Sequence, residues 1–183
     1  EGDVHTDVEV AGATKVEGQD NTYAVVFGET ITLTATAKTG YYFDKWTQGE
    51  TTYDENEIEF VYNVVDSLTF VASSKANQYK VVYNSNGGTG AIDEVIANYD
   101  EKFTLSDGSA FAKLGYLFQG WAETSDGAVK YAANAEVSNL TTDRWTETSG
   151  NVGVVTLYAN WKAIEYTIAF DKNGATSGAM API

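Results

Sequence analysis

The heptad Gly115-Tyr116-Leu117-Phe118-Gln119-Gly120-Trp121 decides the reading of this chain, because Gly40-Tyr41-Tyr42-Phe43-Asp44-Lys45-Trp46 carries the same pattern 75 residues earlier. The shared form is Gly-Tyr-x-Phe-x-x-Trp. A glycine admits a backbone turn that a Cβ forbids, and the residues after it run on as an extended strand. Side chains alternate faces along a strand, so Tyr41 and Phe43 share one face, as do Tyr116 and Phe118. Trp46 and Trp121 fall out of step: either each strand bulges before the tryptophan, or the indole covers the opposite face. Recurrence at framework positions marks Tyr41, Phe43, Trp46, Tyr116, Phe118 and Trp121 as expected core residues. Two copies of one heptad mean a duplicated structural unit.

The duplication extends outward. Phe27–Leu33 matches Tyr99–Leu105 at an offset of 72, and Thr69–Lys75 matches Thr156–Lys162 at an offset of 87. The offset grows from 75 at the heptads to 87 at the closing strand, so the second unit carries twelve additional residues between them. The polar, irregular stretch 139–153 is the natural place for them. Tyr166–Gly174 then repeats Tyr79–Gly87, again at 87. The expected organisation is a divergent module over 1–77, a full module over 78–163 and the opening of a third over 164–183.

Within each unit the pattern is that of strands. Ile31–Ala37 has apolar residues at odd numbers and threonine at even ones, the period of a sheet with one buried face. Val4–Val10, Tyr23–Phe27, the Ile58-Phe60-Tyr62 alternation, Leu68–Ala72 and Tyr79–Tyr83 read the same way. Asn86-Gly87 after Tyr83 is a turn signal, since both residues tolerate positive φ. Only Ala110–Leu114 and Ala132–Leu140 have the composition for a turn or two of helix. The expected fold class is therefore mainly β, α+β at most.

Composition narrows the function. A chain of 183 residues with 43% hydrophobic residues has material for two small cores. A net charge of −15 and a pI near 4.2 argue against nucleic acid, whose phosphates need clustered Lys and Arg, and against anionic membrane surfaces. There is no cysteine, hence neither disulfide nor thiolate metal site. No run of about 18 apolar residues marks a membrane-spanning helix. Neither a signal peptide nor a wall-sorting tail is visible, and the sequence reads as a piece of a longer polypeptide.

The ordered combination of the opening strand with its Asn-Gly-Gly, the heptad, and Leu157-Tyr158-Ala159-Asn160-Trp161 resembles the Listeria–Bacteroides repeat, the B-repeat of internalin-type bacterial surface proteins. That resemblance spans about 78–163. Residues 1–77 resemble the divergent version of the repeat, keeping Gly40–Trp46 and Leu68–Ala72 without the Asn-Gly-Gly. The resemblance implies small β-grasp-like modules in tandem on secreted or wall-attached bacterial proteins, serving as spacers or adhesive segments. It supplies no catalytic residue and no cofactor.

The residues themselves agree. His5 is the only histidine and stands near the terminus, which removes histidine-based nucleophilic catalysis and a histidine metal site. The 26 carboxylates would need a cleft holding one acid protonated to act as a glycosidase pair. Gly87-Gly88-Thr89-Gly90-Ala91-Ile92-Asp93 approaches a calcium nonapeptide, yet its aspartate comes one residue late and the motif is not stacked. Asp171-Lys172-Asn173-Gly174 opens like a calcium loop without its closing glutamate. Both read better as hairpin turns.

Trp145, beside Arg144 in the 139–153 stretch, has no counterpart in the first unit. The pair is the candidate contact for a host or cell-surface protein or a glycan, since Trp and Arg dominate binding hot spots. The competing reading packs the indole back on the module. On the contact reading, trimming the stretch leaves the module folded and removes the partner. The expected protein is extracellular, secreted or cell-wall attached, non-enzymatic and monomeric, with edge-strand pairing open to residues 166–170.

Overall fold

The alternating segments form strands throughout the computed structural model of the chain, which describes residues 2–61, 67–171, 173–174 and 178. The first repeat contains β1 (Thr6–Ala11), β2 (Thr14–Lys15), β3 (Tyr23–Ala24), β4 (Thr30–Ala37), β5 (Tyr41–Gln48), β6 (Thr51–Tyr53), β7 (Glu57–Val61) and β8 (Val71–Ala76). The second contains β9 (Gln78–Asn84), β10 (Val95–Asn98), β11 (Phe103–Thr104), β12 (Tyr116–Ala122), β13 (Glu136–Val137) and β14 (Val154–Ala163). There is no helix among the described residues, and the chain is mainly β.

Both candidate helices give way to local chemistry. Asn134 and Asn139 sit at φ 57 and 54, inside 132–140, and a right-handed helix cannot pass through left-handed residues. Ala112 is drawn into a β-bridge with Thr89, exchanging backbone hydrogen bonds of 2.7 and 3.0 Å. Asp100, at φ 61, turns the chain within Tyr99–Leu105, so only Phe103–Thr104 is strand there. The closing strand of the first repeat begins at Val71, three residues later than the Leu68 expected from the alternation. Tyr62 lies outside the described residues, and residues 166–170 form no strand.

The sheets run β1-β4-β7, β6-β5-β8, β2-β3, β11-β13 and β10-β9-β14-β12. The register explains the tryptophan that the heptad leaves out of step. In β5, Phe43 faces Ser74 and Trp46 faces Ala72, with a bulge between Phe43 and Lys45. In β12, Phe118 faces Trp161 and Trp121 faces Ala159, with a bulge between Phe118 and Gly120. The extra residue, Asp44 in one repeat and Gln119 in the other, restores the tryptophan to the face of its phenylalanine. The ring pairs follow: Phe43–Trp46 at 6.3 Å and Phe118–Trp121 at 4.9 Å.

By contact density the chain forms two compact units. The first comprises Glu1–Val81, Val95–Phe103 and Glu136–Val155. Its core is Leu33, Ala35, Trp46, Ile58 and Ala72, with Val8, Val10, Phe43, Tyr53 and Phe70 packed against it. The second comprises Val82–Glu94, Thr104–Ala135 and Thr156–Ile183. Leu105, Phe111, Trp121, Leu157 and Ala159 are buried there. Trp46 and Trp121 are each 0% exposed. The long stretch 139–153 thus belongs to the first unit, together with the first repeat and the edge strand β10.

Candidate functional site

The 139–153 segment is polar and irregular, and its backbone is nevertheless well satisfied. The Trp145 N–H donates to the Gln78 carbonyl at 2.7 Å, and the Lys80 N–H donates to the Gly153 carbonyl at 2.9 Å. These bonds cover the flank of β9 at its N-terminal end. Asn77 Nδ2 donates to the Thr142 carbonyl at 2.8 Å. Ser149 ties the turn between them: its hydroxyl accepts from the Thr146 N–H at 3.0 Å and lies within hydrogen-bond reach of the Thr146 and Val152 carbonyls.

Gly153 is required by this packing. Its φ is +70, and a Cβ would come within 2.6 Å of the Arg144 carbonyl carbon. Trp145 is half-buried with Lys80 Nζ 4.5 Å from its ring centroid. Arg144 is exposed and lies over Tyr42, its guanidinium carbon 3.4 Å from the ring centroid. Both candidate contact residues therefore have partners within their own unit. The structure brings them together with Tyr42, a residue that composition and spacing do not connect to them.

Beside them is a polar cluster that sequence reasoning missed. Tyr41 stacks on His5 with centroids 3.8 Å apart, meets Tyr99 edge-on at 5.9 Å, and donates its hydroxyl to Asp100 Oδ2 at 2.7 Å. Asn139 Nδ2 donates to the other oxygen of Asp100, and Asn139 Oδ1 accepts the Asp100 N–H, both at 2.6 Å. Tyr99 rests on Gly40, where a Cβ would overlap its ring. Tyr41 is thus a half-buried hydrogen-bonding residue rather than an apolar core member. Tyr116, its counterpart, is corrected further: it shares a strand face with Phe118 yet is 41% exposed, beside Gly115, where no described residue comes within 4 Å of a Cβ position.

The bond to Asp100 pushes the Tyr41 phenol up from 10.0 to about 12. The same bond, followed by that of Asn139, holds the Asp100 carboxyl below its usual value. The raised phenol contributes stability that is complete below the ordinary tyrosine pKa and is lost as pH rises from there through about 12. The depressed carboxyl contributes stability present above its ordinary value and lost as pH falls through the depressed one. Asp100→Asn keeps a side chain suited to φ 61 and removes the charge. We expect Tyr41 to titrate back toward 10.0 in that variant, followed by phenolate absorbance.

The glycine-rich turn is occupied by donors. Trp161 Nε1 donates to the Ser85 carbonyl at 2.8 Å, Lys113 Nζ to the Asn86 carbonyl at 3.3 Å, and Ser85 Oγ to the Gly88 carbonyl at 2.9 Å. Asn86 Nδ2 ties the turn to the Ala159 carbonyl at 3.0 Å. Among the described residues no three His, Cys, Asp or Glu side chains gather as a metal site would require. Asp171 accepts the Asn173 N–H at 3.0 Å, closing a local turn.

Two copies of one bulged-strand frame, in succession along the sequence, define a tandem β-repeat protein. The family models are specific: residues 79–160 match the Listeria-Bacteroides repeat domain, and residues 5–77 match the divergent InlB B-repeat domain. The chain belongs to this repeat family. Among curated proteins it is 30% identical over 166 residues to a "Putative membrane protein" of Evansella cellulosilytica, covering 90% of this chain and 22% of that protein. It is 31% identical over 142 residues to a "Putative Gly-rich membrane protein" of the same organism, covering 76% of this chain and 14% of that protein. The chain spans less than a quarter of the length of these relatives. No solved structure matches it.

Proposed function

We propose that this chain is a spacer segment of a bacterial surface protein, extracellular or wall-attached, that works mechanically and not as an enzyme. Each repeat adds a folded β module of fixed length, and repetition extends reach without new chemistry. One observation carries the reading: the 139–153 segment, where the sequence concentrates its binding signal, is tied into the first unit. Arg144 lies on Tyr42 and the Trp145 amide is bonded to Gln78. The family match and the membrane-protein names of the relatives support a place at the cell surface.

The test is a glycan array and a pull-down with surface extracts, run on the full chain and on Trp145→Ala. The spacer reading predicts no captured ligand with either. Specific capture by the full chain that Trp145→Ala loses would establish the adhesive reading instead.

A further inference from the structure

The two heptads are superposable in sequence and in strand register, yet their opening residues have different surroundings. At Gly40 the aromatic ring of Tyr99 occupies the space a side chain would fill, and Tyr41 is stacked, edged and hydrogen-bonded. At Gly115 no described residue lies within 4 Å of a Cβ position. Leu114 is 100% exposed, Leu117 55% and Tyr116 41%. Lys113 Nζ lies 4.7 Å from the Tyr116 ring, and Lys162 is the cross-strand partner of Leu117.

The backbone leaving each closing strand, β8 and β14, is tied to the heptad's first glycine in the same way. The Asn77 N–H donates to the Gly40 carbonyl at 2.8 Å, and the Ile164 N–H donates to the Gly115 carbonyl at 2.9 Å. Asn77 leads into Tyr79, Val81 and Tyr83, which are all buried. Ile164 leads into Tyr166, Ile168 and Phe170, the same apolar phase, which are all exposed. His5 of the first repeat stacks on Tyr41, while Tyr99 on Gly40 and Asp100 on the Tyr41 hydroxyl come from the turn after β10, about twenty residues beyond Tyr79. The equivalents of Tyr99 and Asp100 would follow Tyr166 by a similar distance.

We infer that the Gly115–Leu117 face is the docking surface for a following repeat, which seats an aromatic side chain on Gly115 and a carboxylate on the Tyr116 hydroxyl. The occupant is a further β repeat of this kind continuing from Tyr166. A chance hydrophobic patch would not reproduce the launching hydrogen bond, the glycine with positive φ and the phenol in the same order. Lys113 adds a cation beside the site that favours an incoming carboxylate. Leu117 stands where the first repeat has Tyr42, so the stacking that Tyr42 gives Arg144 has no equivalent. This inference rests on the spacer reading and adds that consecutive repeats are indexed against each other rather than strung loosely.

The experiment continues the chain through a third repeat by following Glu165 with a second copy of residues 79–163. The number of tyrosines titrating well above 10.0, as the bond to Asp100 leads us to expect of Tyr41, is counted by phenolate absorbance, and amide exchange is read at Tyr116 and Leu117. Docking predicts one additional high-titrating tyrosine, its loss in Tyr116→Phe, and slowed exchange at both amides. A folded third copy with no new high-titrating tyrosine and unchanged exchange would overturn the inference. So would a third copy that fails to fold, since identical residues fold after Gly40. Either failure leaves the spacer reading standing, because beads on flexible links are spacers too; only captured ligand in the binding assay removes that reading.

Discussion

Trp121→Ala will destabilise its unit by about 3–5 kcal/mol, the usual cost of truncating a buried aromatic. The indole is fully enclosed, with Tyr83, Phe118 and Phe111 ring centroids at 4.7, 4.9 and 6.0 Å. Its N–H donates to the Ser106 carbonyl at 2.8 Å, so truncation also orphans an acceptor. A domain of this size has only about 5–15 kcal/mol in total, and the unit should be close to unfolding at ambient temperature. Trp46→Ala should cost less. Among the described residues Phe43 is the ring beside it, at 6.3 Å, and its N–H bond to the Asn56 carbonyl is 3.3 Å. Urea unfolding followed by circular dichroism measures both, and an equal or inverted order would contradict this account of the two cores.

Shortening the 139–153 segment by the twelve residues that the first repeat lacks should lower stability by about 2–4 kcal/mol, since each net hydrogen bond contributes roughly 0.5–1.5 kcal/mol. The lost bonds are those of Trp145 to Gln78, Lys80 to Gly153 and Asn77 to Thr142. The cation–π contacts of Lys80 with Trp145 and Arg144 with Tyr42 go with them. The entropy regained by shortening the loop is small, because closure cost grows only logarithmically with length. The sequence predicts that trimming leaves the module folded; the hydrogen bonds to Gln78, Lys80 and Asn77 add that it is folded at lower stability. A trimmed chain melting at the parent temperature would restore the view of the segment as an appendage.

The frame of the fold was legible because it is local and repeated. Period-two apolar alternation located β4 and β7, the heptad located β5 and β12, and the repeat offset located β14; the out-of-step tryptophans left a bulge or an opposite face open, and both repeats contain the bulge. The two helical segments misread because composition says nothing of Asn134 and Asn139 adopting positive φ. The Tyr41–Asp100 cluster was invisible for a different reason. Its partners are 59 residues apart, and neither carries a local pattern that names the other. Tyr116 shows the same limit: an identical heptad is covered in one place and open in another, and only tertiary neighbours distinguish them. Arg144 and Trp145 were legible as unusual, while their partners Tyr42, Gln78 and Lys80 were not.

The central claim is that the segment carrying the binding signal is built into the fold. Native-state amide exchange at Trp145 and Lys80 tests it most directly, since these N–H groups donate to Gln78 and Gly153. The account predicts that both exchange as slowly as the paired amides of β9 and β10 and respond to denaturant with them. Exchange at the rate of an unstructured loop would contradict it and return the segment to solvent and to ligand.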